Sequence, residues 1–217
     1  WIKFFALFFD KSAEAATASC ETASRYSCNS IAGSSITSAA SQLGASSHTY
    51  QVPTVVFASY NAPSAWGDGS YKINMGPYKN QLAMDAGATF PDLSGFTAFH
   101  SMHWSGSFSA GFSFPLANQS QFLAAISLAD VIIDETYPNQ QSLDTLKSQY
   151  GVSATAMPPA FASGRVYTLD RTMDSRGGPW GGTDYYESRV AEPEAMLEDL
   201  VAVLHPGDSN ALDASAT

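Results

Sequence analysis

Two imidazoles stand three residues apart in the run His100-Ser101-Met102-His103. On a helical turn that spacing lets both rings reach one metal ion, with a carboxylate from Asp134, Glu135 or Asp170 as a third ligand. The same rings serve equally well as loop imidazoles held by hydrogen bonds. A second set of groups suits contact with a molecule. Tyr60, Trp66, His103, Trp104, Trp180, Tyr185 and Tyr186 fall in loops after strand-like runs, and Glu135 ends one such run. Rings of this kind bury apolar area against a large flat ligand at ~25 cal/mol per Å². Arg171, Arg176 and Arg189 would neutralise acidic groups on it. Taken singly, each ring is also an ordinary packing residue with its polar tip satisfied. Arg189 with Glu187 and Glu192 is equally a helix-surface pairing.

Bond-making chemistry is much less visible. There is no nucleophile elbow of the G-x-S-x-G type, and Ser105 beside His103 does not make a triad. The run Gly177-Gly178-Pro179-Trp180-Gly181-Gly182 lacks the Lys-Ser/Thr ending of a phosphate-cradling loop. No carboxylate pair stands at a spacing suited to acid/base work. These residues predict a surface that holds a small molecule, needs no cofactor and is not an enzyme. The rival readings are a bare metal ion held by His100 and His103, an α/β hydrolase-like enzyme, and an adhesion module with no small ligand.

Composition narrows the partner. Ten Lys plus Arg stand against twenty Asp plus Glu in 217 residues, a formal net charge of −10. Nothing resembles a basic face able to neutralise phosphates, which argues against nucleic acid. No apolar run approaches the ~20 residues that span a bilayer. Trp1 to Phe9 has no basic leader and reads as a buried helix segment continuing into Lys11-Ser12-Ala13-Glu14-Ala15, so the chain is expected to start in mid-protein. Cys20 and Cys28 either close a small loop in an oxidising compartment or remain buried thiols. With the glycosylation sequon Asn118-Gln119-Ser120 they lean towards an exported protein.

The elements that must position these groups follow a repeat of strand, aromatic loop and helix. Residues 1–24 read as a helix, and the Ser/Ala-rich connector 25–50 as weak helix or loop. Val52 to Tyr60 is apolar and β-branched, the pattern of a strand covered on both faces. It empties into Asn61 to Tyr71, read as a loop, and Pro77 opens a helix stopped by Gly87. A short strand is expected near Ala88-Thr89-Phe90. Phe96 to Phe114 shows neither period over its length and reads as a long loop with short strand pieces. Then come a helix over Gln121–Ala129, a buried strand over Asp130–Asp134, a helix over Ser142–Tyr150 closed by Gly151, and a strand over Arg165–Leu169. That last strand opens into the Gly/Pro-rich loop holding Arg171, Arg176 and Trp180, which Thr183 or Asp184 caps into a helix reaching Leu204. The alternation predicts an α/β fold: a mostly parallel sheet with helices on both faces, and ligand contact at its carboxyl edge. The lobe spans 51–207, with 208–217 as a tail.

In this order the features resemble the carboxyl-terminal part of class III periplasmic solute-binding proteins, the group of vitamin B12 and iron-siderophore binders. Trp1 to Ala18 resembles the end of the rigid helix joining two lobes, and Pro53 to Tyr60 the first strand of a lobe. Tyr78 to Gly87 is similar to a helix ending in an Ala-Gly turn, and Phe122 to Glu135 to the segment of helix, Ala-Asp and apolar strand. Thr183 to Arg189, with Pro193 and Leu197, resembles the family's Asp-Trp-Phe-Glu loop and final helix. The Ser-rich stretch Ser27 to Ser47 and the Phe-rich loop depart from the bacterial pattern and, with the sequon, resemble algal cobalamin acquisition proteins. The resemblance implies an extracellular, cell-surface or periplasmic monomer, one of two lobes, with the other upstream of residue 1. It further implies a bulky ligand, cobalamin first and an iron chelate second, and acidic surface residues that dock a membrane transporter.

Overall fold

A computed structural model of the chain describes residues 52–65, 67–96, 111–136, 142–169 and 193–206, with Ser24 and Ser27, both helical and exposed. By backbone packing the chain divides into two compact units. One comprises Val52–Met84 and Ala88–Thr183, the other Trp1–Gln51, Asp85–Gly87 and Asp184–Thr217.

Among the described residues the first unit is built on a five-stranded sheet. Its strands are β1 (Val55–Asn61), β2 (Ser70–Asn74), β3 (Gly111–Pro115), β4 (Val131–Asp134) and β5 (Val166–Thr168), in the order β3-β2-β1-β4-β5. β1 and β4 are apolar runs with no alternation, and Val55 to Ala58 and Val131 to Ile133 are buried, as a central strand between two covered faces requires. β2 alternates, with Tyr71 and Ile73 buried around Lys72.

The expectation of a mostly parallel sheet needs one correction. β1 pairs β4 and β4 pairs β5 in parallel, but β1–β2 and β2–β3 are antiparallel. The cause lies in the segment read as a loop, Asn61 to Tyr71. It is too short for a crossover, so the chain must turn back on itself as a hairpin. Ser64 and Gly67 exchange backbone hydrogen bonds of 2.9 and 3.3 Å in its turn. Gly69, at φ 78°, closes the turn, where a Cβ would lie 2.8 Å from both Asn61 O and Pro63 N. The Phe-rich stretch carries one of its expected strand pieces at its carboxyl end, where Phe112 and Phe114 register with Ile73 and Tyr71. The strand expected near Thr89 is a single parallel bridge to Thr54.

Helices cover both faces. α1 (Pro77–Asp85) buries Leu82 and Ala83, and its Lys79 Nζ stands 5.0 Å from the centre of the Phe57 ring. The opposite face carries Val56, Ala58, Tyr71, Ile73, Phe114 and Ile132. They pack with Phe122, Ala125 and Ile126 of α2 (Gln119–Ile126), Tyr150 of α3 (Leu143–Tyr150), and Ala160 and Phe161 of α4 (Pro159–Ala162). A 3-10 turn, Leu116–Asn118, joins β3 to α2. α3 follows its sequence signals closely. Ser142 Oγ accepts from Thr145 N, Asp144 sits in the first turn, and Gly151 ends the helix at φ 72° with Val152 N bonded to Lys147 O.

In the second unit α5 (Pro193–Leu204) buries Leu197, Leu200, Val201 and Leu204, one stripe at helical spacing. His205 Nε2 meets Ala86 O at 2.9 Å. Residues 1–23, the connector apart from Ser27, and the part of the final helix expected before Pro193 lie outside the described residues, as do Cys20 and Cys28. No helix among the described residues is long and apolar enough to cross a membrane.

Phe122 is the hub of the larger core, stacked on Tyr71 at 4.5 Å between ring centres and edge-on to Tyr150 at 5.0 Å and Phe114 at 5.9 Å. Truncation removes a fully buried ring and leaves a cavity walled by stiff neighbours. Phe122→Ala is expected to lower unfolding free energy by about 3–5 kcal/mol, read as a fall in denaturant midpoint at unchanged slope.

Candidate functional site at the carboxyl edge of the sheet

Strands β1, β4 and β5 run the same way, so their carboxyl ends share one edge, the edge where open α/β sheets bind ligands. Tyr60 and Asn61 end β1 there, and Asp134, Glu135 and Thr136 leave β4 beside them. Because side chains alternate along a strand, Asp134 and Glu135 go to opposite faces.

Glu135 N donates to Ala58 O at 2.7 Å, which carries the parallel ladder one step past β4. Its carboxylate, on the α1 face, forms an ion pair with Lys79 and accepts from Asn74 Nδ2 at 2.6 Å. Lys79 and Glu135 are both buried, and the lysine lies over Phe57 as well. The pair therefore ties α1 to the end of β4 across 56 positions of sequence.

Asp134 enters the aromatic core on the other face. Its Oδ1 accepts from the Tyr150 hydroxyl and, at 2.7 Å, from Thr136 Oγ1; its Oδ2 accepts from Thr136 N at 3.3 Å. The last is an Asx-type turn that ends the strand. Burial raises the Asp134 carboxyl above the ordinary aspartate value, against the opposing pull of its hydrogen bonds to Tyr150 and Thr136. Burial likewise pushes the Tyr150 phenol well up, and the adjacent Asp134 charge adds to it. The Tyr71 phenol is also raised by burial. It accepts from Gln119 Nε2 at 2.8 Å and donates to Gln149 O at 3.2 Å.

Tyr60, half-buried, lies 5.6 Å from Tyr71 ring to ring and so continues the row of rings through Phe122 and Tyr150 to Phe161. Of the ring and carboxylate positions singled out in the sequence, Tyr60 and Glu135 reach the same edge on opposite faces of the sheet. Trp66, His100, His103, Trp104, Arg171, Trp180, Tyr185 and Tyr186 lie outside the described residues. Lys79, Tyr150 and Thr136 were missed as site residues. Nothing local marks Lys79 or Tyr150, since each meets its carboxylate only in the fold. Thr136 had a signal, a hydroxyl two places after an aspartate at a strand end. Among the described residues no three His, Cys, Asp or Glu side chains gather to hold a metal ion.

Two consequences are measurable. Lys79→Met removes the ammonium that pairs with the buried Glu135 carboxylate and is expected to destabilise by about 3–5 kcal/mol, whereas Lys79→Met with Glu135→Leu recovers most of that loss in the same denaturant experiment. For Asp134 the native state holds the proton more tightly than the unfolded chain. That contribution is complete below the unfolded value of about 3.9 and is lost as pH rises through the raised native value. Wild-type stability should therefore fall relative to Asp134→Asn as pH climbs from about 4 through the native pKa, followed by thermal unfolding across pH.

Comparison of the sequence with family profiles finds no match, and no curated protein matches it. Among solved structures the chain is similar to the siderophore periplasmic binding protein from the fuscachelin gene cluster of Thermobifida fusca, at 15% identity and a TM-score of 0.47. The likeness covers 90% of this chain and 56% of that one, so this chain spans little more than half of that protein's length.

Proposed function

We propose that the chain is an extracytoplasmic solute-binding protein that captures a bulky, cofactor-like ligand for uptake. Cobalamin is the first candidate and an iron–siderophore the second. The observation that carries this reading is the shared carboxyl edge of β1, β4 and β5, with Tyr60 on its rim and the buried Asp134–Thr136 turn behind it. The charged groups described at that edge are already engaged inside the protein, Glu135 by Lys79 and Asp134 by Tyr150 and Thr136. They serve to hold the rim in place. The sequence adds a family resemblance in the order of its motifs, and rings suited to a flat ligand in the loops that follow the strands. In this reading the described sheet is the carboxyl-terminal lobe of a two-lobe protein working as a monomer. A membrane transporter takes the cargo from it.

Titration with cobalamin at micromolar concentration should quench tryptophan fluorescence, with a ferric siderophore as the second titrant. Tyr60→Ala should weaken binding about tenfold through lost ring burial. A signal unchanged by both ligands would reject the proposal.

A further inference from the structure

β1 and β4 pair from Val55–Val131 to Ala58–Asp134, and among the described residues the last backbone bond between them is Glu135 N to Ala58 O. The next donor of β1 facing β4 is Tyr60 N, and there β4 has already turned away. Its hydrogen bond goes instead to a side chain, Thr136 Oγ1, at 2.9 Å. The same hydroxyl donates to Asp134 Oδ1 at 2.7 Å, and Asp134 is held in turn by the Tyr150 hydroxyl from α3. Thr136 is 1% exposed, so its hydroxyl has little water to turn to. The Tyr60 phenol hydroxyl, by contrast, has no hydrogen-bond partner among the described residues.

We infer that Thr136 is a positioning residue for Tyr60: its hydroxyl replaces the missing β4 carbonyl and fixes the end of β1, which sets the Tyr60 ring on the rim for contact with a ligand. The ligand half of this inference rests on the function proposed above. The positioning half does not. A threonine suits the place because its hydroxyl accepts from one side and donates to the other while its methyl fills the buried space. Valine keeps that shape without the hydroxyl, and serine keeps the hydroxyl without the methyl.

The test pairs hydrogen exchange with binding in the full chain. In Thr136→Val the Tyr60 amide should exchange about tenfold faster than in wild type, whereas Thr136→Ser keeps the wild-type rate. Cobalamin affinity should fall about fivefold to tenfold in Thr136→Val and return in Thr136→Ser. In a Tyr60→Ala background, adding Thr136→Val should cost no further affinity, a coupling that a merely structural role would not produce. An unchanged Tyr60 exchange rate in Thr136→Val overturns the inference, as does an equal loss of affinity with and without Tyr60. Wild-type protein that binds neither cobalamin nor a ferric siderophore overturns the ligand half, and the exchange rates then decide the positioning half alone.

Discussion

The parallel pairing of β1 with β4 is the constraint on which the carboxyl edge depends, and side chains lock it at both ends. At the amino end Asp130 Oδ2 accepts from Thr54 N and from Thr54 Oγ1, each at 2.8 Å. At the carboxyl end Thr136 Oγ1 takes the Tyr60 amide. Both clamps join residues 76 apart. A slip of one residue would turn every apolar side chain of β4 to the wrong face, so the clamps reinforce a register that burial already demands.

Behind that edge the molecule places polar groups where apolar ones would be expected, and satisfies them locally. Asp134 and Glu135 are neighbours with opposite surroundings, one among phenols and hydroxyls, the other beside a lysine and an amide. Neither arrangement is cheap in desolvation. Each fastens a helix to the end of β4: α3 through Tyr150, α1 through Lys79. The rim thereby stands on two helices and a central strand, a rigid base for any group at the ends of β1 and β4.

How far this was readable from residues alone follows from how local each signal is. The apolar runs of β1 and β4, the Pro77 start, and the Ser142 and Gly151 limits of α3 are written within a few positions of themselves, and they read correctly. The hairpin was lost because Ala62 to Gly69 carries the Pro, Gly and Ser of any loop, and β2 is short and holds a lysine. β3 could be anticipated only as an unplaced strand piece, because its Phe-Ser-Phe alternation ends a Ser- and Gly-rich stretch with no period of its own. At the edge, Tyr60 and Glu135 could be picked out by type and place, but the partners that give Glu135 its role could not. Lys79 and Asn74 are remote in sequence, and only the β1–β2 hairpin and α1 bring them near.

The mixed sheet also sets the order in which the chain can assemble. Asn61 and Ser70 need only close one tight turn to meet, so the β1–β2 ribbon gathers from neighbouring residues at small entropic loss. β4 reaches β1 only after a long excursion through α1, β3 and α2, and β5 only after β4. The ribbon is the natural early seed, and the edge that carries Tyr60 acquires its final form late, when the more distant strands arrive.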